Sequence, residues 1–289
     1  MKTMTRTTTA VVATSLLLSS LLLAVLCGRQ RWAKGTKTLR RAMETGHGRT
    51  YPKAFQVQDL DALPAPVKRY FRTVLRDGKA VIAAVNISHQ GRIDMGESKP
   101  DWKPFMSNQR VITRRPGFDW NAQVLLMPGL PVFIHDAYVA GRGRLQASLL
   151  GLFTVADMSD SLDLRRGELM RFFAEAAWYP TALLPSQGVQ WSATDEHAAE
   201  ATITDGDLSL TLLFRFNAEG LIETVRADSR ARTVGGVTTH APWQCRLWNY
   251  ELRDGINVPL QGEAAYVLHD EAKPYFHGQI TSIAFEFAP

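Results

Sequence analysis

Between Leu208 and Phe216 the chain reads LSLTLLFRF, with Leu208, Leu210, Leu212, Phe214 and Phe216 at every second position and Ser209, Thr211 and Arg215 between them. A period of two sends alternate side chains to opposite faces, so this segment predicts a half-buried strand with one face on a core. Such a strand needs partners on both sides. ATITDG before it and LIETVRADSRA after it supply them, with Asp205-Gly206 as a hairpin turn and Asn217 to Gly220 as the next connection. From Ala80 onward, short runs rich in Val, Ile, Phe and Trp are punctuated by Gln90-Gly91, Arg115-Pro116-Gly117, Met127-Pro128-Gly129 and Asp205-Gly206. Two more strands are expected around Trp243 to Leu252 and Glu263 to Leu268, joined across Asp254-Gly255. ITSIAFEF, with Ile283, Phe285 and Phe287 alternating, supplies a last one. The fold class expected is α+β, mainly antiparallel β, a meander sheet packed with a few helices.

Two segments carry helical periodicity. In LPAPVKRYFRTVLRDG, Val67, Tyr70, Phe71, Val74 and Leu75 fall on one face, with Pro64 or Pro66 near the start and Gly78 as the stop. This short amphipathic helix is expected against an edge or end of the sheet. In RRGELMRFFAEAAWYPTALLP, good helix formers predict a helix opened by Gly167 and regular as far as Pro180. Leu169, Met170, Phe172, Phe173, Ala176 and Ala177 cover most of its circumference. Glu168, Arg171, Glu175 and Trp178 form the remaining stripe, which either meets solvent along a narrow face or lines something polar inside.

The N-terminus is organised differently. Ala10 to Cys27 is an 18-residue run without a charge, the length of a helix that crosses a bilayer core. The expected division is a tail over 1–9, a transmembrane helix over 10–28, a basic juxtamembrane linker over 29–50 and one soluble domain over 51–289. A cleaved signal peptide is the rival reading. The long apolar region and the lack of a small-residue cleavage site count against it, and Leu26 before Cys27 counts against a lipoprotein signal. Residues 1 to 41 hold eight Lys and Arg and no acid, which leaves 25 basic against 28 acidic residues in the rest. The basic character therefore belongs to the tether, and a nucleic-acid surface on the domain is not expected. The richer flank of Lys and Arg follows the run, which orients the domain toward the cytoplasm of a bacterial inner membrane, with a periplasmic or extracellular domain as the alternative. With Cys27 in the run and Cys245 in the domain, no disulfide can form within the domain.

The strings GELMRFFAEAAWYPTALLP, GVQWSATDEHAAEATI and FRFNAEGLIETVRADSR, with PFMSNQRVITRRPGFDWNAQV and LPAPVKRYF upstream, resemble an uncharacterised bacterial family, a domain of unknown function. The likeness runs from about Leu63 to the C-terminus, and WYPTALLP is its most specific part. It implies an N-terminal membrane segment and a shared fold, and no activity. In pattern, the chain is also similar to the lipoprotein-carrier half-barrels, whose curved antiparallel sheet wraps helices and shields an apolar cavity; RPGFDW is like a strand-turn-strand string of theirs. That resemblance implies a half-barrel.

Known catalytic signatures are absent. There is no G-x-S-x-G, and the Gly-Arg-Gly-Arg at 141 to 144 lacks the third glycine of a dinucleotide loop and reads as a turn. The seven histidines include no H-x-x-x-H pair, and His135-Asp136 and His269-Asp270 point to opposite faces if they lie in strands, so neither a metal nor another cofactor is expected. Glu168 and Glu175 with Arg171 between them could act as general acid and base if enclosed, or form an ordinary ion-paired helix face. Trp120, Trp178, Tyr179, Trp191 and Trp243, with Trp248, could line a cavity for an apolar ligand or fill the core. Three functions stay open. The first is a membrane-tethered domain binding a lipid, another apolar ligand, or a lipidated or envelope protein; the second is an interaction or assembly module with a solid core; the third is an enzyme using Glu168 and Glu175. Partners other than the membrane and such a ligand are not specified.

Overall fold

The structure, a computed structural model, describes residues 2–45, 53–96 and 99–288, without the side chains of residues 2–9, 17, 18 and 21. Among the described residues, three α-helices, α1 (Lys2–Glu44), α2 (Ala65–Val74) and α3 (Leu162–Ala174), accompany thirteen strands. The first six are β1 (Ile82–Asp94), β2 (Trp102–Ile112), β3 (Gly117–Met127), β4 (Leu130–Val139), β5 (Arg142–Leu149) and β6 (Phe153–Ser159). After α3 come β7 (Gln190–Asp195), β8 (Ala198–Asp205), β9 (Leu208–Phe216), β10 (Ile222–Val234), β11 (Val237–Arg253), β12 (Ile256–Leu268) and β13 (Glu271–Phe287).

All thirteen strands form one antiparallel sheet in the order β6-β5-β4-β3-β2-β1-β13-β12-β11-β10-β9-β8-β7. Two meanders of hairpins, one before α3 and one after it, are therefore joined where the last strand pairs back onto the first, Val85 opposite Phe285 and Ile87 opposite Ile283. An open sheet this wide has to curl. Register shifts at Ser88/His89, Ala227/Arg230 and Ala264/Ala265 supply local bends. The inner face holds α3, and the core fills the side toward β7 to β10. Tyr70 and Phe71 of α2 and Phe173, Tyr179 and Leu183 pack there with Phe214 and Phe216 of β9. The alternation in β9 is complete: residues 208, 210, 212, 214 and 216 are buried, and Ser209, Thr211 and Arg215 are exposed.

Several expectations change. Gln90-Gly91 is no turn but lies inside β1, where Gly91 is needed because a Cβ would collide with the His277 carbonyl oxygen of β13. Gly167 does not open α3. The N-cap is Ser161, whose side chain accepts from the Leu164 amide, and Gly167 sits mid-helix. Regular α-helix stops at Ala174, before Pro180. Short 3-10 turns then carry the chain to Gln187, with Pro180 and Pro185 each at the start of a turn, where their missing N–H costs nothing.

The N-terminal segment differs most. Residues 29–44 are not a linker but continue α1, and residues 46–50 lie outside those described. Trp32 stacks on His135 at 4.4 Å and donates from Nε1 to Asn121 Oδ1 at 2.8 Å. Arg40 donates to Asp119 Oδ2 at 2.8 Å and Asn108 Oδ1 at 2.9 Å, and His135 Nδ1 lies 2.6 Å from Asp119 Oδ1. Trp32, Thr36 and Arg40, spaced by four, put one face of the helix on β2, β3 and β4 from outside the sheet. Among the described residues, no helix is long and apolar enough to cross a membrane; Leu17, Leu18 and Leu21 of the apolar run have side chains outside that set.

Candidate functional site

Under α3, toward β3 to β5 and β11 to β13, the inner face is not filled. A cavity of about 640 Å³ remains, within the size range of small-molecule sites. Its walls follow from strand pairing: the rows Val124–Val132–Leu149, Ala122–Ile134–Ala147 and Trp120–Asp136–Leu145 run across β3, β4 and β5 with inward side chains. Most of them line the cavity, opposite Trp243, Cys245, Tyr266 and Phe276 of the second meander. The lining is mainly apolar, with one polar group of side chains where α3 meets β4 and β10.

That group is built around Arg171. Its Nε donates to Glu175 Oε1 at 2.7 Å and its Nη1 to Asp136 Oδ2 at 2.5 Å. Its guanidinium lies 4.9 Å from the centre of the Trp120 ring and 5.1 Å from that of Phe118. Gln109 donates to the other oxygen of Glu175 at 2.7 Å, so Glu175 has both oxygens engaged. Glu168, one turn before Arg171, is 4% exposed. Burial first, and the adjacent Asp136 carboxylate second, push its carboxyl well above the usual carboxylate range. The geometry agrees, because Glu168 Oε2 and Asp136 Oδ1 are both buried acceptors without a donor, and a proton kept on Glu168 supplies one. With that proton, Asp136 and Glu175 balance Arg171 and Arg230.

Arg230 enters from β10. The register shift between Ala227 and Arg230 changes the phase of the strand, so Arg230 pairs with Ala241 and faces inward on the same side as Trp243. Its guanidinium lies 4.8 Å from the centre of the Trp243 ring and packs over Gly167. Among the described residues it forms no hydrogen bond or ion pair. The indole N–H groups of Trp120 and Trp178 are likewise buried without an acceptor. At the polar end of the cavity wall, Arg230 therefore has its donors unspent among the described residues. Beside it, burial and then the Arg171 charge drive the His89 imidazole down to about 3, so it is neutral against the Trp178 ring. Burial pushes the Cys245 thiol up to about 12, so it stays protonated and is a poor nucleophile.

Of the aromatic residues singled out, Trp120, Trp178 and Trp243 line the cavity, and Tyr179 and Trp191 do not. Tyr179 is fully buried and donates to the Phe172 carbonyl at 2.6 Å. Trp191 packs edge-on against Phe214 in the filled part of the core and donates to the Leu183 carbonyl. Trp248 faces the outside of the sheet, lining a shallow hollow with Met106 and His277. The Glu168–Arg171–Glu175 stripe lies inside rather than along solvent, because α3 lies across the inner face with that stripe toward the cavity. Asp136, Arg230, Tyr266, Tyr275 and Phe276 were not anticipated. Among the described residues no cluster of potential metal ligands occurs.

Residues 61–285 match a family of unknown function, DUF6920. The chain belongs to this family. The match contains the whole cavity wall, α2, α3 and the WYPTALLP string, and leaves out α1. No curated protein matches the sequence. Among solved structures, a LolA superfamily protein from Nitrosomonas europaea is similar over 82% of this chain and 96% of its own, at 10% identity and a TM-score of 0.35. A likeness at that level carries neither fold detail nor function to this DUF6920 member.

Proposed function

We propose that this domain binds an apolar or amphipathic molecule, the acyl chain of a lipid or of a lipidated protein, in the cavity beneath α3, and that residues 10–28 hold it at a bacterial inner membrane. The observation that carries this reading is the cavity itself: about 640 Å³ with a mainly apolar wall that includes three tryptophans, and a charged group of Asp136, Glu168, Arg171, Glu175 and Arg230 at one end. Unfilled apolar volume forfeits packing contacts in a solid core, which speaks against an assembly module without a ligand. The charge asymmetry of the flanks favours a cytoplasmic domain. The test is native mass spectrometry of the full chain released from mild detergent, followed by organic extraction. Wild type is expected to carry a lipid mass that Trp243→Ala loses at least tenfold, since a large part of one wall goes with the indole. A wild-type chain that flies as the bare polypeptide, and takes up no added lipid, contradicts the reading.

A second reading rests on Glu168 alone. Its protonated carboxyl lies at the end of an apolar cavity with the proton directed at Asp136, so it serves as a general acid toward a bound ester or amide only where the ligand replaces that hydrogen bond. Glu175 is not its partner in this, because both its oxygens already accept hydrogen bonds.

A further inference from the structure

Along the apolar half of α1, Val11, Val12, Leu16, Leu22, Leu23 and Leu26 are exposed. A contiguous apolar surface of that kind calls for cover. Arg29, Arg31, Lys34 and Lys37 follow it and are exposed as well, so apolar surface passes directly into cationic surface, the order that a leaflet and its anionic headgroups present.

Where this helix leaves the domain is fixed by a crossing of two glycines. A Cβ on Gly28 would run into the Leu150 carbonyl oxygen, and one on Gly151 would sit 2.5 Å from the Gly28 oxygen. Gly151 belongs to the turn between β5 and β6. The pairings Asp94–Trp102, Met127–Leu130 and Leu149–Phe153 put that turn and the β1–β2 and β3–β4 turns at one end of this half of the sheet. The same end exposes Met95, Met127, Phe153 and Val155. Met95 and Val155 also line the cavity, so its rim and the exit of α1 coincide.

We propose that this end of the sheet is seated in the same leaflet as the apolar half of α1, so that the cavity opens onto the bilayer and its ligand exchanges with the membrane without crossing water. The seating follows from the crossing and the exposed rim; the exchange rests on the ligand-binding reading above. The polar contacts of Trp32 and Arg40 make α1 a strut rather than a tether, which keeps the rim at one height.

The test uses the full chain with Cys27→Ser and Cys245→Ser in vesicles of phosphatidylethanolamine and phosphatidylglycerol. An environment-sensitive fluorophore is placed on a single cysteine in Met127→Cys or Phe153→Cys. Leu22→Cys reports the helix. Asp207→Cys reports the opposite end, since Asp207 pairs with Arg165, which donates to the Gly141 carbonyl in the β4–β5 turn. Lipids with a quencher on the acyl chain are expected to quench positions 22, 127 and 153 at least twofold more than 207. Quenching at 22 with 127 and 153 as bright as 207 overturns the proposal while leaving membrane attachment intact. No quenching at 22 overturns it together with the attachment. Seated rims on a protein that carries no lipid in the mass measurement leave the cavity reading, and the exchange with it, refuted.

Discussion

At the scale of single residues, the cavity depends on where one proton sits. Glu168 is held neutral by burial and by Asp136, and its folded pKa is raised. Below the ordinary glutamate range the carboxyl is protonated both folded and unfolded, so its contribution to stability is fully present there. As pH rises above that range the unfolded chain releases the proton and the folded chain keeps it, so the contribution is lost until the folded pKa is passed. Glu168→Gln keeps the donor toward Asp136 and cannot ionise. It is predicted to raise stability near pH 8 by at least about 1.4 kcal/mol, the cost of keeping through one pH unit a proton that the unfolded chain has released, with the gain vanishing near pH 4. Urea unfolding midpoints at the two pH values check this; a gain that is equal at both, or a loss at pH 8, places a carboxylate rather than a carboxylic acid at 168. Arg230 shows why the site was only partly legible. In the string ADSRARTV its position looks like the polar face of a strand. Only the shift of register after Ala227 turns it inward, and a bulge has no signature in an alternation that is already weak there.

At the scale of elements, strong periodicity reads well and docking does not. Strand β9 alternates over its whole length, and α2 places Val67, Tyr70, Phe71 and Val74 on one buried face, because in both a single face meets the core. The aromatic residues divide differently. A tryptophan in a strand has the same pattern whether it meets another side chain or an empty space, so nothing in sequence separates Trp191, packed on Phe214, from Trp243 at the cavity wall. The basic stretch after Cys27 reads as a linker because its partners, Asn108, Asp119, Asn121 and His135, come from three strands far along the chain. The Gly28–Gly151 crossing joins these contacts at the end of the apolar run. Gly28→Val is predicted to lift the start of this segment off the sheet, since its side chain meets backbone at Leu150 and cannot be accommodated by a rotamer change. Hydrogen exchange should then rise at least tenfold for the amides of residues 30–36, with β8 to β10 unchanged. Equal exchange in wild type and variant means the crossing does not hold the helix.

At the scale of the whole molecule, two meanders share one sheet because β13 returns to β1, and α3 lies between them. The filled half of the inner face carries the core, and the unfilled half leaves the cavity. Helix α1 is braced on the outer face of the same strands, β3 and β4, whose inner faces carry Trp120 and Asp136, so the helix and the cavity wall share their strands. The claim that the cavity holds an acyl chain is tested most directly by photocrosslinking in intact cells fed a long-chain fatty acid with a terminal diazirine. Adducts are then mapped on the purified full chain. The account predicts labelled peptides from β4, β5 and β11, around Ile134, Ala147 and Cys245, and their loss in Ala147→Trp, which fills the space between the walls. Label confined to α1, with the cavity strands clean in wild type, contradicts it.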